Sequence, residues 1–241
     1  MKVAAIIPAR YGSSRLAGKP LLRAGGKVLV QHVWEGIRAS TEVDDLVVAT
    51  DDERILEAVE GFGGRAVMTR GDHPSGTDRV HEAASGIRPP PDIVLNIQGD
   101  EPGAGPAHVS LLVRLLREDG GAAMSTLAYP AGPEARGDPG RVKVVLGKGG
   151  RALYFSRAPI PFDREGGGGE VLVHAGLYGY RREVLERFVS LPPSPLERRE
   201  RLEQLRALEA GLRIVVGRIE APLFSVDTPE DFEVFSARQG S

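Results

Sequence analysis

The chain has 241 residues, 41% of them apolar and 27% charged, with a net charge of −2 at pH 7 and no cysteine. That length buries a sizeable core as one large domain or two small ones. The near-neutral charge gives no global attraction to nucleic acid or an anionic membrane, and the missing thiols exclude disulfides, thiol catalysis and cysteine-ligated metal.

In chain order, VAAII at 3–7, LVVAT at 46–50, RAVMT at 65–69 and IVLNI at 93–97 are short apolar runs without period-two alternation. Such runs suit strands buried on both faces. Helical patterns at 28–39, 53–61 and 77–85 separate them, and strand–helix–strand alternation predicts a parallel sheet with right-handed crossovers. The second half is more mixed: AAMSTLAY, VKVVLG, ALYFSR and VHAGLYGYR read as strands between Gly- and Pro-rich connections. GIRPPPD and REGGGGE read as loops within one domain rather than boundaries. MKVAAIIPAR has too short an apolar run for a secretory signal, and no stretch is long enough to span a membrane, so a cytoplasmic protein is expected.

Two late helices have legible starts. Ser194-Pro195-Leu196-Glu197 supplies an N-cap serine, proline at the first helical position and a capping-box glutamate. The helix is predicted to carry Leu202, Leu205, Leu208 and Leu212 as one apolar stripe, with Gly211 as terminator. Thr228-Pro229-Glu230-Asp231 repeats the signature and places Asp227 just outside a helix N-terminus.

Two stretches carry candidate chemistry. IPARYGSSRLAGKP, residues 7–20, follows the first strand with Arg10, Arg15 and Lys19 in a Gly/Ser loop. Strand, Gly/Ser loop and helix is an arrangement that presents backbone N–H groups to phosphate. Pro20 stands where a Walker A loop needs Ser or Thr, and no G-x-G-x-x-G is present. A solvated basic loop and a phosphate site both fit these local features. NIQGDEP, residues 96–102, ends a buried strand and puts Asp100 and Glu101 at the carboxyl edge of the sheet, where open α/β folds bind ligands. A carboxylate there can hold Mg²⁺ against polyphosphate, or simply make a polar turn.

IPARYGSSRLAGKPL, VVATDD, MTRGDHPSGTDR, NIQGDEP, ALYFSRAPIPFDR, HAGLYGYR, PSPLE with LEQLRALE, and VDTPEDFE resemble, in order and spacing, the bacterial 3-deoxy-manno-octulosonate (Kdo) cytidylyltransferases, or CMP-Kdo synthetases. The resemblance runs from about Val3 to about Val234. It implies an α/β fold: a single Rossmann-like nucleotidyltransferase domain with a mostly parallel central sheet and a smaller mixed α+β dimerisation region. Nucleotide binding would fall mainly on residues 1–125 and 220–241, and sugar binding with dimerisation mainly on 126–219. The implied enzyme is a Mg²⁺-dependent homodimer that joins CMP from CTP to Kdo for lipopolysaccharide inner core.

By the same resemblance Arg10, Arg15 and Lys19 clamp the CTP triphosphate, with Ala9 close to the nucleotide. Arg70, Ser75 and Gly76 belong to the cytosine region. Asp100 and Asp227 match the magnesium-holding carboxylates, and Asp100, Asp227, Arg15 and Lys19 form the catalytic set. Gln98, Arg157, His174, Tyr178 and Glu203 match sugar-acid positions. Unaided by the family, His174 reads as an ordinary strand histidine and Glu203 as a solvated helix charge.

Val173 stands where many relatives have arginine, Ala175 replaces a larger apolar residue, and the REGGGGE loop is short and glycine-rich. These departures bear on sugar choice rather than on CTP use. Alternative readings are CMP activation of the 8-amino analogue of Kdo or of a nonulosonate, and a non-catalytic nucleotide-binding module. A hexose-1-phosphate nucleotidyltransferase is disfavoured because its G-x-G-T-R-L signature is missing.

Overall fold

The computed structural model describes residues 1–12, 16–166 and 170–240, so Arg15 and most of the 166–169 glycine run lie outside the described residues. In chain order the elements are β1 (Val3–Ala9), the short strands β2 (Arg23–Ala24) and β3 (Lys27–Val28), α1 (Leu29–Arg38), β4 (Asp45–Thr50) and α2 (Glu53–Gly61). They continue with β5 (Ala66–Met68), α3 (Gly76–Ser85), β6 (Ile93–Asn96), α4 (Pro106–Glu118), β7 (Met124–Ala131), β8 (Lys143–Leu146) and β9 (Ala152–Ser156). The last are β10 (Val171–Arg181), α5 (Arg182–Ser190), α6 (Pro195–Glu200), α7 (Gln204–Glu209), β11 (Ile214–Arg218) and α8 (Pro229–Gln239).

The fold is mixed α/β with a mostly parallel sheet, as the alternation of elements predicts. It comprises two compact units, residues 1–110 with 223–241, and residues 111–222. In the first, β6, β1, β4 and β5 lie side by side, all parallel. Val3 to Ile7, Val47 to Ala49 and Ile93 to Leu95 are all fully buried, which is why these strands read as continuous apolar runs. Each such Val, Leu or Ile contributes about 1.5–3 kcal/mol by leaving water. α1 turns Leu29, Val30, Val33 and Ile37 inward at helical spacing, while Gln31, Glu35 and Arg38 keep to its outer side. Asp52 and Ser75 cap α2 and α3 by accepting backbone N–H bonds.

In the second unit β7 is central, with β11 parallel on one side and β10 antiparallel on the other. β8 pairs with β10 and, antiparallel, with β9. The register of β10 against β7 slips by two residues between Ala175 and Tyr178, a bulge inside HAGLYGYR. The strand pattern of the sequence passed over β11, and the helical pattern passed over α4 and α5.

The single helix expected after Ser194 is instead two. Its capping box forms as anticipated, but Arg201 adopts a left-handed φ of 52° and ends α6. Arg206 of α7 then lays its guanidinium on Glu197 of α6, with Nε and Nη2 each 2.9 Å from a carboxylate oxygen. It also reaches the Leu191 carbonyl at 3.0 Å. A nearly buried, forked ion pair folds α7 back onto α6, and that outweighs continuation of the helix.

Candidate active site

The carboxyl ends of β1 and β6 open onto a cavity of about 330 Å³. Ala9, Arg10, Gly12 and Lys19 of the basic stretch line it, with Gly76 and Arg79 of α3 and Gln98, Gly99 and Asp100 beyond β6. The loop is closed at its base by the Gly18 N–H donating to the Tyr11 carbonyl at 3.0 Å. Gly99 is required by close approach: a Cβ there would stand 2.8 Å from the Pro8 carbonyl oxygen.

Lys19 is the centre of charge. Its Nζ lies 2.6 Å from Asp100 Oδ2, donates to the Val226 carbonyl at 2.9 Å, and lies 3.6 Å from Asp227 Oδ1. The two aspartates are brought together by the backbone: Val226 N–H donates to the Asp100 carbonyl at 2.8 Å and Gly103 N–H to the Phe224 carbonyl at 3.4 Å. The Thr228 capping box forms as the sequence predicts, and its Asp231 also accepts from the Asp227 N–H at 3.0 Å. That fixes Asp227 at the head of α8. Beside them Glu101 is almost fully buried, with Oε2 lacking a hydrogen-bond partner. Burial, then the nearby Asp100 and Asp227 charges, push its carboxyl up to about 8.

Of the residues expected at the nucleotide, Ala9, Arg10, Lys19, Gly76 and Asp100 meet at one cavity. Ser75 caps α3 directly before Gly76, accepting from the Thr77 and Asp78 N–H groups. Arg70 is exposed and faces Asp72 and Glu82 at 3.7 Å instead of the cavity wall. Gln98, expected at the sugar, lines the same cavity and donates to Asn96 Oδ1 at 3.2 Å.

The other expected sugar residues belong to the second unit. His174 and Tyr178 stand on β10 with ring centroids 5.3 Å apart, across the bulge. Thr126 Oγ1 donates to the Leu177 carbonyl at 2.7 Å, so the 2.8 Å bond between Thr126 Oγ1 and His174 Nε2 has the imidazole as donor. Loss of water around the packed ring pushes its pKa down to about 4, so it is neutral at pH 7 with Nδ1 left as an acceptor. Arg157 is held by backbone: Nε donates to the Glu200 carbonyl and Nη1 to the Pro139 carbonyl, each at 2.9 Å. Glu203 accepts from Arg206 Nη2 at 3.2 Å.

Residue-by-residue reading of the sequence missed Arg79, a fully buried guanidinium in the cavity wall, and Lys143, a fully buried ammonium on β8. Lys143 Nζ donates to the Asp138 and Arg157 carbonyls at 2.8 and 2.6 Å, and burial lowers its pKa. Arg79 sits inside MTRGDHPSGTDR, so that motif was its signal; nothing in VKVVLG marks its lysine as buried.

The family model described as cytidylyltransferase matches residues 4–214. A 3-deoxy-manno-octulosonate cytidylyltransferase of Syntrophobacter fumaroxidans is 50% identical over 237 residues, covering 97% of this chain and 95% of the relative. The chain belongs to the 3-deoxy-manno-octulosonate cytidylyltransferase family. A family relative from Shewanella halifaxensis, an 8-amino-3,8-dideoxy-manno-octulosonate cytidylyltransferase, is 46% identical over 99% of this chain and 98% of its own length. A solved CMP:2-keto-3-deoxy-manno-octonic acid synthetase complexed with CTP superposes with a TM-score of 0.95 at 44% identity, covering 100% of this chain and 99% of that one. This chain is therefore a cytidylyltransferase family enzyme in which Arg10, Lys19 and Asp100 line one cavity and Asp227 stands 3.6 Å from Lys19.

Proposed function

We propose that the protein transfers CMP from CTP to the anomeric 2-hydroxyl of 3-deoxy-D-manno-octulosonate, giving CMP-Kdo and pyrophosphate for lipopolysaccharide core synthesis. The observation that carries the reading is the Lys19 ammonium set between Asp100 and Asp227 at the mouth of an Arg- and Gly-lined cavity. The sugar oxygen forms a bond to the α-phosphorus as the bond to the bridging oxygen breaks, and pyrophosphate leaves with that electron pair. Lys19 and Arg10 neutralise the triphosphate, while the α3 N-terminus and Gly99 present close backbone to it. Positioning and charge neutralisation account for such a transfer without a covalent intermediate.

The donor set suits Mg²⁺. Asp100 and Asp227 converge on one point that already holds a cation, the Lys19 ammonium, and their charges add to the burial that raises the Glu101 pKa. Among the described residues no three His, Cys, Asp or Glu side chains form a metal-holding group. Two carboxylates completed by phosphate oxygens and water are what Mg²⁺ prefers. Asp100 and Asp227 would hold it, and when bound it supplies Lewis-acid neutralisation and a lower pKa for the attacking hydroxyl.

A cytoplasmic homodimer is part of the same proposal. Among the described residues no helix is long and apolar enough to cross a membrane. Leu153 and Phe162 of the ALYFSRAPIPF segment are 61% and 87% exposed, apolar surface that an isologous contact would cover. Sedimentation equilibrium at micromolar concentration should give twice the chain mass; a species of one chain's mass would remove the dimer.

The deciding experiment is pyrophosphate release over a matrix of nucleotides and sugar acids with Mg²⁺. Turnover should require CTP and be fastest with Kdo, slower with its 8-amino analogue and with nonulosonates. Equal release with ATP would overturn the pyrimidine assignment, and preference for another acid would move the substrate.

A further inference from the structure

We propose that Arg79 and Glu82 of α3 are the positioning residues that hold segment 69–75, and with it the Gly76 wall of the nucleotide cavity, in place, and so set nucleotide selectivity. The inference deepens the reading of the chain as a CTP-dependent enzyme and rests on it.

Three residues apart on one helix, Arg79 and Glu82 lie on the same face. Arg79 is fully buried. Its guanidinium donates through Nη2 to Asp51 Oδ2 at 2.7 Å and through Nη1 to Thr69 Oγ1. Thr69 Oγ1 donates onward to the Thr50 carbonyl at 3.0 Å. One side chain thus ties the ends of β4 and β5 to the first turn of α3 while lining the cavity. A charged group with no exposure is retained only where its partners are fixed.

One turn further along α3, Glu82 takes up the rest of the segment. Its carboxylate accepts from the Arg70 N–H, with both oxygens at 3.3 Å, and pairs with His73 Nε2. Ser75 closes the segment by capping α3 and donating to Asp78 Oδ2 at 2.7 Å. Residues 69, 70, 73 and 75 are therefore each tied to α3, the helix whose first residue walls the cavity. A ligand that meets a segment already fixed in one conformation does not bear the entropy of ordering it. A fixed row of backbone donors and acceptors also penalises a base with the wrong edge.

Steady-state kinetics of the full chain with CTP and UTP, at saturating Kdo and Mg²⁺, test this with Glu82→Ala, His73→Ala, Arg79→Lys and Glu82→Gln. Glu82→Ala should raise KM for CTP roughly tenfold, the worth of one lost bond to a charged group, with kcat within about twofold. KM for Kdo should stay unchanged and the preference for CTP over UTP should fall. His73→Ala should show a smaller change of the same kind. Glu82→Gln, which keeps an acceptor for both N–H groups, should recover most of the loss. Arg79→Lys keeps the charge but loses the fork, and should behave like Glu82→Ala. Should it fail to fold, the Glu82 and His73 variants decide alone. Wild-type KM and CTP:UTP preference in Glu82→Ala would overturn the proposal, as would equal rises in KM for nucleotide and sugar. A wild-type enzyme that ignores CTP would instead overturn the underlying reading.

Discussion

The Lys19 ammonium stands 2.6 Å from the Asp100 carboxylate, so a residue expected at the triphosphate and one expected at the metal are each other's partner. The contact is partly buried, with 12% of the lysine side chain and 28% of the aspartate exposed, so water screens it only in part. A divalent cation held by Asp100, as proposed above, would compete with the lysine for the same oxygen.

Replacing Lys19 by Met should therefore tighten divalent-cation binding to the nucleotide-free protein. Loss of an opposing charge at this exposure corresponds to about 1 kcal/mol or more, or at least roughly a fivefold gain in affinity. Titration of Mn²⁺ followed by electron paramagnetic resonance measures it directly. Unchanged affinity would mean that the lysine and the metal do not share Asp100.

Asp100→Ala and Asp227→Ala should each lower kcat at least about a hundredfold, the upper range for one charge-assisted interaction, with little loss of stability. Both carboxylates lie at element ends, and Asp231 holds the 227–228 backbone independently of the Asp227 side chain. Activity and urea midpoints measured together separate the two effects. An Asp227→Ala enzyme near wild-type kcat would take that residue out of the site.

Lys19→Ala and His174→Ala should give different kinetic signatures. The lysine variant should lose efficiency with every sugar acid, by roughly ten- to a hundredfold. The histidine variant should raise KM for Kdo and reorder sugar acids while KM for CTP holds. Matching signatures would end the division between nucleotide and sugar residues.

His174 also predicts an acid-side loss of stability. Its folded pKa of about 4 lies below the ordinary value of 6.5, so the unfolded chain binds more protons between those limits. Stability from this group is complete above about pH 6.5 and falls as pH drops toward 4, by about 2 kcal/mol between pH 7 and 5. Urea denaturation at pH 7 and 5 should show that difference in the wild type, and show it reduced by this amount in His174→Gln. An identical pH dependence in the two proteins would contradict a neutral, desolvated ring.

Features that depend on neighbours along the chain were legible from the residues alone. The buried strands at 3–7, 46–50 and 93–97 announce themselves because burial on both faces demands unbroken apolar runs. Ser194 and Thr228 announce their helices because a cap is a contact three residues long. Eight motif blocks in order were enough to place the chain in its family. The placement of buried charge, by contrast, depends on contacts that exist only once the chain has folded. Lys19 and Asp100 are 81 positions apart, and nothing in either motif says that they touch. Arg206 bends a predicted single helix into α6 and α7 by seeking Glu197, nine residues away and on another helix. Arg79 and Lys143 look like surface residues until the sheet closes over them. Each is a polar group leaving water, and its cost is settled by partners that the fold supplies and the local pattern cannot encode.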